Sequence, residues 1–598
     1  MTESAVHRRP VRIGNVSGFY GDRFDAFKEM VEGSLADPAG VVDVVTGDYL
    51  AELTMLILWK SKKKDPSTGY AKTFLEQFRA VVNTCADKGI KVVVNAGGLN
   101  PAGLAEQIRA VAADAGVNLS VAHIEGDDLR PRLEVLQAAG HQFRHLDKDI
   151  TLAESGADPV SANAYLGGWG IASALQRGAD VVICPRVTDA ALVVGVGAWW
   201  HGWDRTDFDA LAGAVAAGHV IECGPQACGG NYSQIAEIVD RRYPGSPIAE
   251  LAHDGSFVIT KLDGTGGLVS PGTVTAQLLY EVDAPAYLNP DVIAHFDTLT
   301  ITSEGDNRVR VCGTRGSAPP PTLKVAMNYI GGYRNTMTLV LTGLDIAEKA
   351  QWAQEELFEI LGGRDAFDET DVQLLRYDVE DPSTMAQAVA HLRVTVKDRD
   401  RTKVDRAFSN AVVELSLAGY AGFHTTTPPS SASEFGVYWP ALIPADEVEQ
   451  VVCHADGTRE TIPHSALVAE STQQIDTNES VAATLPRVTS RRALGTVAAA
   501  RSGDKGGKAN VGVWTDTAER WDWLRAHLTV DQFRKLVPEA EGLVVHRYEF
   551  PNLRALNFVV VGFLGDGVAS STRSDPQAKG LGEYLRARHT DIPDELIG

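Results

Sequence analysis

Cysteine is scarce. Six residues among 598 (Cys85, Cys184, Cys223, Cys228, Cys312 and Cys453) are scattered, and do not make a disulfide framework. Cys223 and Cys228 are close in sequence, but no second pair of ligands stands where a zinc site would need it. Long apolar runs are missing too, so no segment reads as a membrane span, which takes roughly 18 or more consecutive apolar residues. The opening MTESAVHRRPVRIG has arginines but no apolar stretch, and no secretory signal is read there. The cytoplasm is the expected location. Positive charge is in deficit, 55 Lys and Arg against 78 Asp and Glu for a net −23. That balance argues against nucleic acid held on a broad basic face. The G-x-S-x-G elbow, H-E-x-x-H and C-x-x-C are absent, which weakens hydrolase, zinc-peptidase and thioredoxin-like readings.

What the chain does have is alternation. Over about the first 200 residues, short apolar runs lead through polar or glycine turns into helix-like stretches: VRIGN before FDAFKEMVEG, VVDVVTGD before YLAELTMLILWK, IKVVVNAGG before PAGLAEQIRAVAADAG, VNLSVAHIEGDD before RLEVLQAAG, ADVVICP before RVTDAALVVGVGAWW. The pattern predicts an α/β domain over residues 1–250, a parallel sheet covered by helices. Such sheets bind ligands beyond the carboxyl ends of their strands. Asn15, Gly47, Asp48, Asn95 to Asn100, Glu125 to Asp128 and Arg186 to Asp189 fall there. Asn, Asp and Gly also serve simply as turn and cap residues. Residues 251–453 are strand-rich, and from TMTLVLTG onward a β-α-β-β-α order suits a ferredoxin-like split sheet. Residues 454–490 are polar and read as a linker, after which 491–598 form a compact module.

Several turns carry candidate chemistry. In NAGGLNP, the amides around Asn95, Gly97, Gly98 and Asn100 could meet a carboxylate, a phosphate or the pyrophosphate of CoA, but the spacing is neither a dinucleotide fingerprint nor a P-loop. A plain tight turn is the alternative, and its place among the strand-end turns favours a carboxylate or CoA thioester over Gly97 and Gly98. In CPRVTDAAL, Arg186 can grip an anion while Thr188 or Asp189 caps a helix; a structural pair of Arg186 with Asp48 is the alternative. Thr265, Gly266 and Gly267 form a second potential cradle, and Gly229 and Gly230 a third. His424, in a loop stiffened by Pro428 and Pro429, is the leading acid/base candidate, with Asp189 and Asp48 beside it. Arg501 and Lys505, in ARSGDKGGKANVGVW, could contact a phosphate or pair on a solvated turn. No cofactor and no resident metal is expected; a weak Mg²⁺ reading uses Asp48, Glu125, Asp127 and Asp128.

GNVSGFYGDR, NAGGLNP, CPRVTDAALVVG, IECGPQACGGNYS, DGTGGLVSPGTVTAQLLYEV, FHTTTPPSSASEFGVYWP and ARSGDKGGKANVGVW, in this order, resemble the acyclic terpene utilisation protein A (AtuA-like) family over nearly the whole chain. The resemblance implies a role in the catabolism of acyclic terpenes through CoA thioesters and a ferredoxin-fold module at the C-terminus. It brings no catalytic residues. The expected function is therefore an enzyme acting on a branched acyl-CoA or related carboxylate, of hydro-lyase or isomerase type. The alternative is a noncatalytic binding or assembly subunit for a CoA-thioester enzyme such as a carboxylase. Homo-oligomers are expected for a metabolic protein of 64.1 kDa, with no membrane or nucleic-acid partner.

Overall fold

The computed structural model describes residues 8–470, 472 and 488–597, so residues 471 and 473–487 of the expected linker, 454–490, lie outside the described residues. The chain divides into two compact units, one of residues 1–328, 438–568 and 577–598, the other of 329–437 and 569–576.

In the first unit, β1 (Val11–Asn15), β2 (Val44–Gly47), β3 (Lys91–Val94), β4 (Val121–Glu125) and β6 (Val181–Ile183) run parallel, side by side in the order β1-β2-β3-β6-β4. Their valine and isoleucine runs are buried on both faces, as a helix-covered parallel sheet requires. The helices that follow them are those of the sequence pattern, among them Glu52–Lys64, Pro101–Asp114 and Ala191–His201. The sheet is nevertheless mixed. Antiparallel strands β7 (Pro247–Leu251), β8 (Phe257–Lys261), β12 (Val309–Cys312) and β11 (Thr300–Ser303) extend it beyond β1. Beyond β4 it continues into β19 (Val451–Cys453) and β20 (Arg459–Thr461). The start of the expected linker is thus strand: Asp456 and Gly457, at φ +85°, turn the chain into a hairpin that covers the edge of β4.

A small sheet of β9 (Ala286–Leu288), β10 (Ile293–His295) and β13 (Arg315–Ser317) lies in the same unit, and β5 (Ser161–Ala164) pairs with Val325–Asn328 at the start of β14 (Thr322–Thr342). The C-terminal module joins β21 (Thr489–Ala493) to β26 (His589–Pro593), and orders β22 (Ala499–Lys505), β23 (Lys508–Trp514), β24 (Val545–Phe550) and β25 (Ala555–Val560) as β22-β23-β25-β24, all antiparallel. This is the ferredoxin-like strand order, with β22 at the edge that the last strand of a β-α-β-β-α-β unit would take. Its core stacks Phe533 on Phe558, ring centroids 4.5 Å apart.

The second unit sets β15 (Glu369–Arg376), β16 (Val389–Asp398), β14 from Tyr329 onward and β17 (His424–Thr425) side by side, and β18 (Ser433–Pro444), of which residues 433–437 fall in this unit, also pairs with β14. Helices Ile346–Ile360 and Arg406–Ala418 bury Leu357, Phe408 and Leu415 against it, giving the split sheet that the β-α-β-β-α pattern predicts. Among the described residues of either unit, no helix is long and apolar enough to cross a membrane.

Candidate active site

The five parallel strands end along one edge, and the residues just beyond them converge. Asp48, after β2, is buried and accepts a hydrogen bond from Asn95 Nδ2 beyond β3. Asn95 Oδ1 accepts from the Tyr49 amide at 2.7 Å, so its amide group is fixed with the donor turned to Asp48. Asn15, at the end of β1, donates to the carbonyls of Ile221 (2.6 Å) and Glu222 (3.1 Å). That ties the end of helix Phe208–Ile221 to the sheet and holds Glu222 over the edge. Arg186, after β6, donates to the Leu50 carbonyl at 3.1 Å, lies 3.1 Å from Asp189 and stacks 4.2 Å over the ring of Tyr165. The Tyr165 hydroxyl donates to Glu52 at 3.3 Å, and Lys324 stands 3.7 Å from Glu52 and 5.0 Å from the same ring.

The C-terminal module closes over this edge. Asn510 and Asn557, both fully buried on its sheet, donate to the carbonyls of Leu279 (2.8 Å), Val282 and Asp283 (2.7 Å each), while Asn510 Oδ1 accepts from the Glu281 amide at 2.9 Å. Gly503 completes the seat, because a Cβ there would lie 2.3 Å from the ring of Tyr280. The segment Tyr280–Asp283 is thereby laid across β22 and β23, and cations of the module surround it. Arg501 lies 4.2 Å over Tyr280. Lys579 donates to the Tyr280 hydroxyl and is 3.7 Å from Glu281. Lys505 donates to the Glu281 carbonyl at 2.6 Å and lies 5.1 Å from the ring of Tyr287. Lys508 is 3.2 Å from Asp147 and 3.6 Å from Asp283.

Crowding of carboxyls sets the electrostatics. Burial and the charge of Asp189 push Asp48 and Glu222 well above the ordinary carboxyl range, and burial with Glu222 and Glu52 pushes Glu281 up to about 8. Burial works against ionised Glu52 as well, but Lys324 and Arg186 outweigh it and hold that carboxyl below its ordinary value. His219, 3.1 Å from Glu222, is pushed down to about 4 by burial and is neutral at pH 7. Burial, then Glu281 and Glu222, raises the Cys223 thiol, so it is not a ready thiolate. Glu52, Asp189, Lys324 and Glu281 nonetheless keep between 26 and 34% of their side-chain surface accessible, so the cluster lines a recess that water reaches. Within it, the buried Oε2 of Glu222 and hydroxyl of Thr188 have no hydrogen-bond partner among the described residues.

Of the candidates read from sequence, Asp48, Asp189, Arg186, Thr188, Arg501 and Lys505 come together here, and Asn15 and Asn95 position them. The glycine turns do not offer the free amides expected of them. Gly97 donates to the Cys184 carbonyl (3.1 Å), Gly98 to Asn95 (3.3 Å) and the Asn100 amide to Gly97 (2.8 Å). A Cβ on Gly97 would lie 2.6 Å from that Cys184 oxygen, so the close approach belongs to the neighbouring backbone, and the Asn100 side chain caps helix Pro101–Asp114. The Gly229 and Gly230 amides donate to Gln226 and Pro225, and those of Gly266 and Gly267 to Tyr243 and Asp240. Thr265 and Gly266 line a different cleft of about 500 Å³ with Arg23, Glu29 and Tyr243. The four residues of the Mg²⁺ reading are engaged separately: Asp48 by Asn95, Glu125 by His123 and Arg459, Asp127 by Asn163, Asp128 by the Arg130 amide. His424 belongs to the second unit, exposed, with Nδ1 3.0 Å from the Gly422 carbonyl of its own loop.

Sequence reading did not single out Glu52, Tyr165, Glu222, Tyr280, Glu281, Lys324 or Lys579. Glu222 falls in IECGPQACGGNYS and Tyr280 and Glu281 in DGTGGLVSPGTVTAQLLYEV, two stretches that carry the family resemblance, but nothing in either assigns these side chains a role. No curated protein and no solved structure matched the chain. Residues 492–591 match the AtuA ferredoxin-like domain, the module whose cations close the recess. Residues 11–454, which carry the strand-end cluster, match the acyclic terpene utilisation family protein AtuA, and the chain belongs to that family.

Proposed function

We propose that the chain is an enzyme that holds an organic acid or its acyl thioester in this recess and moves a proton on it, hydrating, dehydrating or isomerising a branched acyl chain of acyclic terpene catabolism. The observation that carries the reading is the pairing of carboxyls of raised proton affinity with fixed cations in one recess. Burial and neighbouring carboxyls raise the proton affinity of Asp48, Glu222 and Glu281 above that of an ordinary carboxyl, and they stand among Arg186, Lys324, Lys505 and Lys579. General acid/base chemistry on an anion asks for that combination. In this reading Arg186 and Lys324 orient the carboxylate or thioester carbonyl, Asp48 and Glu222 supply the proton, and Asp189 accepts it. The C-terminal module completes the recess, which favours catalysis over a purely assembling role.

The test is turnover of a panel of branched enoyl- and 3-hydroxyacyl-CoA thioesters and the corresponding free acids by the purified chain. The reading expects one class to be converted, and Asp48→Asn to lose at least about 100-fold in kcat/KM. Neither conversion nor binding of any member removes it. A homo-oligomer remains part of this proposal, and light scattering showing a monomer at micromolar concentration contradicts it.

A further inference from the structure

The cations of the recess are not equally matched. Arg186 has Asp189, Lys324 has Glu52, Lys508 has Asp147 and Asp283, and Lys579 has Glu281 and Asp504 within 4.0 Å. Among the described residues Arg501 and Lys505 have no carboxylate within 4.0 Å, and their hydrogen bonds go to neutral acceptors: the Asn231 carbonyl at 3.1 Å and the Gln226 amide oxygen for Arg501, the Glu281 carbonyl for Lys505. Arg501 is 5% exposed, and its Nε has no hydrogen-bond partner among the described residues. Both residues lie on β22 with Gly503 between them, and alternate residues of a strand share one face. That face is the one on which Tyr280 and Tyr287 lie, and it borders the accessible carboxyl of Glu281. Burial lowers the proton affinity of both cations, and the carboxyls that act the other way, Asp283 and Glu281 on Lys505 and Glu281 on Arg501, do not offset it. Buried charge without a paired opposite charge is costly, so a site that keeps Arg501 buried in this state, with the half-buried Lys505 beside it, is one in which something else brings the negative charge.

We infer that the β22 hairpin is a second anion-binding point, which takes an anionic group of the ligand other than the one oriented by Arg186. The inference rests on the proposed function and deepens it. The ligand carries two separated anionic groups, a second carboxylate or the phosphates of a thioester carrier, and Lys505 and Arg501 select for the second.

Calorimetric binding of acetate, glutarate and CoA to the full chain at fixed ionic strength tests this, with Arg501→Met, Lys505→Met, Arg501→Lys and Arg186→Met alongside. Melting temperatures without ligand check that each variant is folded, and the Lys variant retains the charge should the Met variant not fold. The expected result is that glutarate or CoA binds at least about tenfold more tightly than acetate, and that Lys505→Met and Arg501→Met remove most of this preference. Glutarate and CoA distinguish the carboxylate from the phosphate source. An unchanged preference in both hairpin variants overturns the second point. If Arg186→Met still abolishes binding in that case, the proposed function stands without it. Loss of all preference in Arg186→Met alone, with none in the hairpin variants, also counts against it.

Discussion

Replacing Glu281 by Gln should make the protein more stable at neutral and alkaline pH, and the structure sets both sign and size. The Glu281 carboxyl is raised from 4.5 to about 8 by burial and by Glu222 and Glu52. A group whose affinity for protons is higher folded than unfolded contributes fully below the unfolded value, and its contribution is lost as pH rises through the folded one. Between pH 4.5 and about 8 the folded chain keeps a proton that the unfolded chain releases, so stability falls across that window. At about 1.4 kcal/mol per pH unit the ceiling is about 5 kcal/mol. Glu281 keeps 34% of its side chain exposed. Solvent screening therefore reduces the expectation to about 2 kcal/mol. For a cooperative unit of this size that is a rise of about 2 °C in Tm for Glu281→Gln at pH 8.5, shrinking to nothing near pH 4.5. Glu52→Gln is the control of opposite sign, since Lys324 and Arg186 hold Glu52 below its ordinary value and its ionised form stabilises the fold at pH 7. Melting curves of wild type and both variants from pH 4.5 to 9 decide it. A Glu281→Gln curve parallel to wild type, or lower at pH 8.5, refutes the reasoning.

Arg186→Met, which leaves Asp189 and Glu52 without their shared cation, should cost about 3–5 kcal/mol of stability by denaturant titration, and Arg186→Lys should not restore the stacking on Tyr165. Gly97→Ala drives a Cβ to 2.6 Å from the Cys184 oxygen, so it should lower stability by about 2 kcal/mol while the affinity of any ligand changes little in calorimetry. Gly503→Leu drives into the Tyr280 ring and should unseat the 280–283 segment; limited proteolysis near Tyr280 is expected to speed up by at least about tenfold. Because burial, Glu281 and Glu222 raise the Cys223 thiol, iodoacetamide at pH 7.5 should label it at least about tenfold more slowly than a free thiol, read by peptide mass spectrometry.

The parallel edge was legible because its signal is local: VVV or VVI runs, a polar turn and a helix, repeated. The turns after β1, β2, β3 and β6 do meet at Asp48, Arg186 and Asp189. Asp48 and Arg186 could be picked out because they sit where α/β sheets place ligands. The glycines of NAGGLNP misled because a close backbone approach looks the same in sequence whether the neighbour is a ligand or, as here, the carbonyl of Cys184. Glu281, Lys324 and Lys579 were illegible for a different reason. Their neighbours are distant in sequence, Lys579 and Glu281 being 3.7 Å apart across almost 300 residues, and only the seating of Tyr280–Asp283 by Asn510, Asn557 and Gly503 brings them together. The hairpin between β19 and β20 carried its Asp-Gly signal openly, yet polar composition outweighed it in the linker reading.

Deuterium incorporation tests most directly whether this recess moves protons on an organic acid. The purified chain is incubated in D₂O with branched acyl-CoA thioesters and their free acids, and the products are read by mass spectrometry. Incorporation beside the carbonyl is expected for at least one member, falling by at least about 100-fold in Asp48→Asn and Arg186→Met. Absence of incorporation throughout the panel, or incorporation that persists unchanged in both variants, contradicts it.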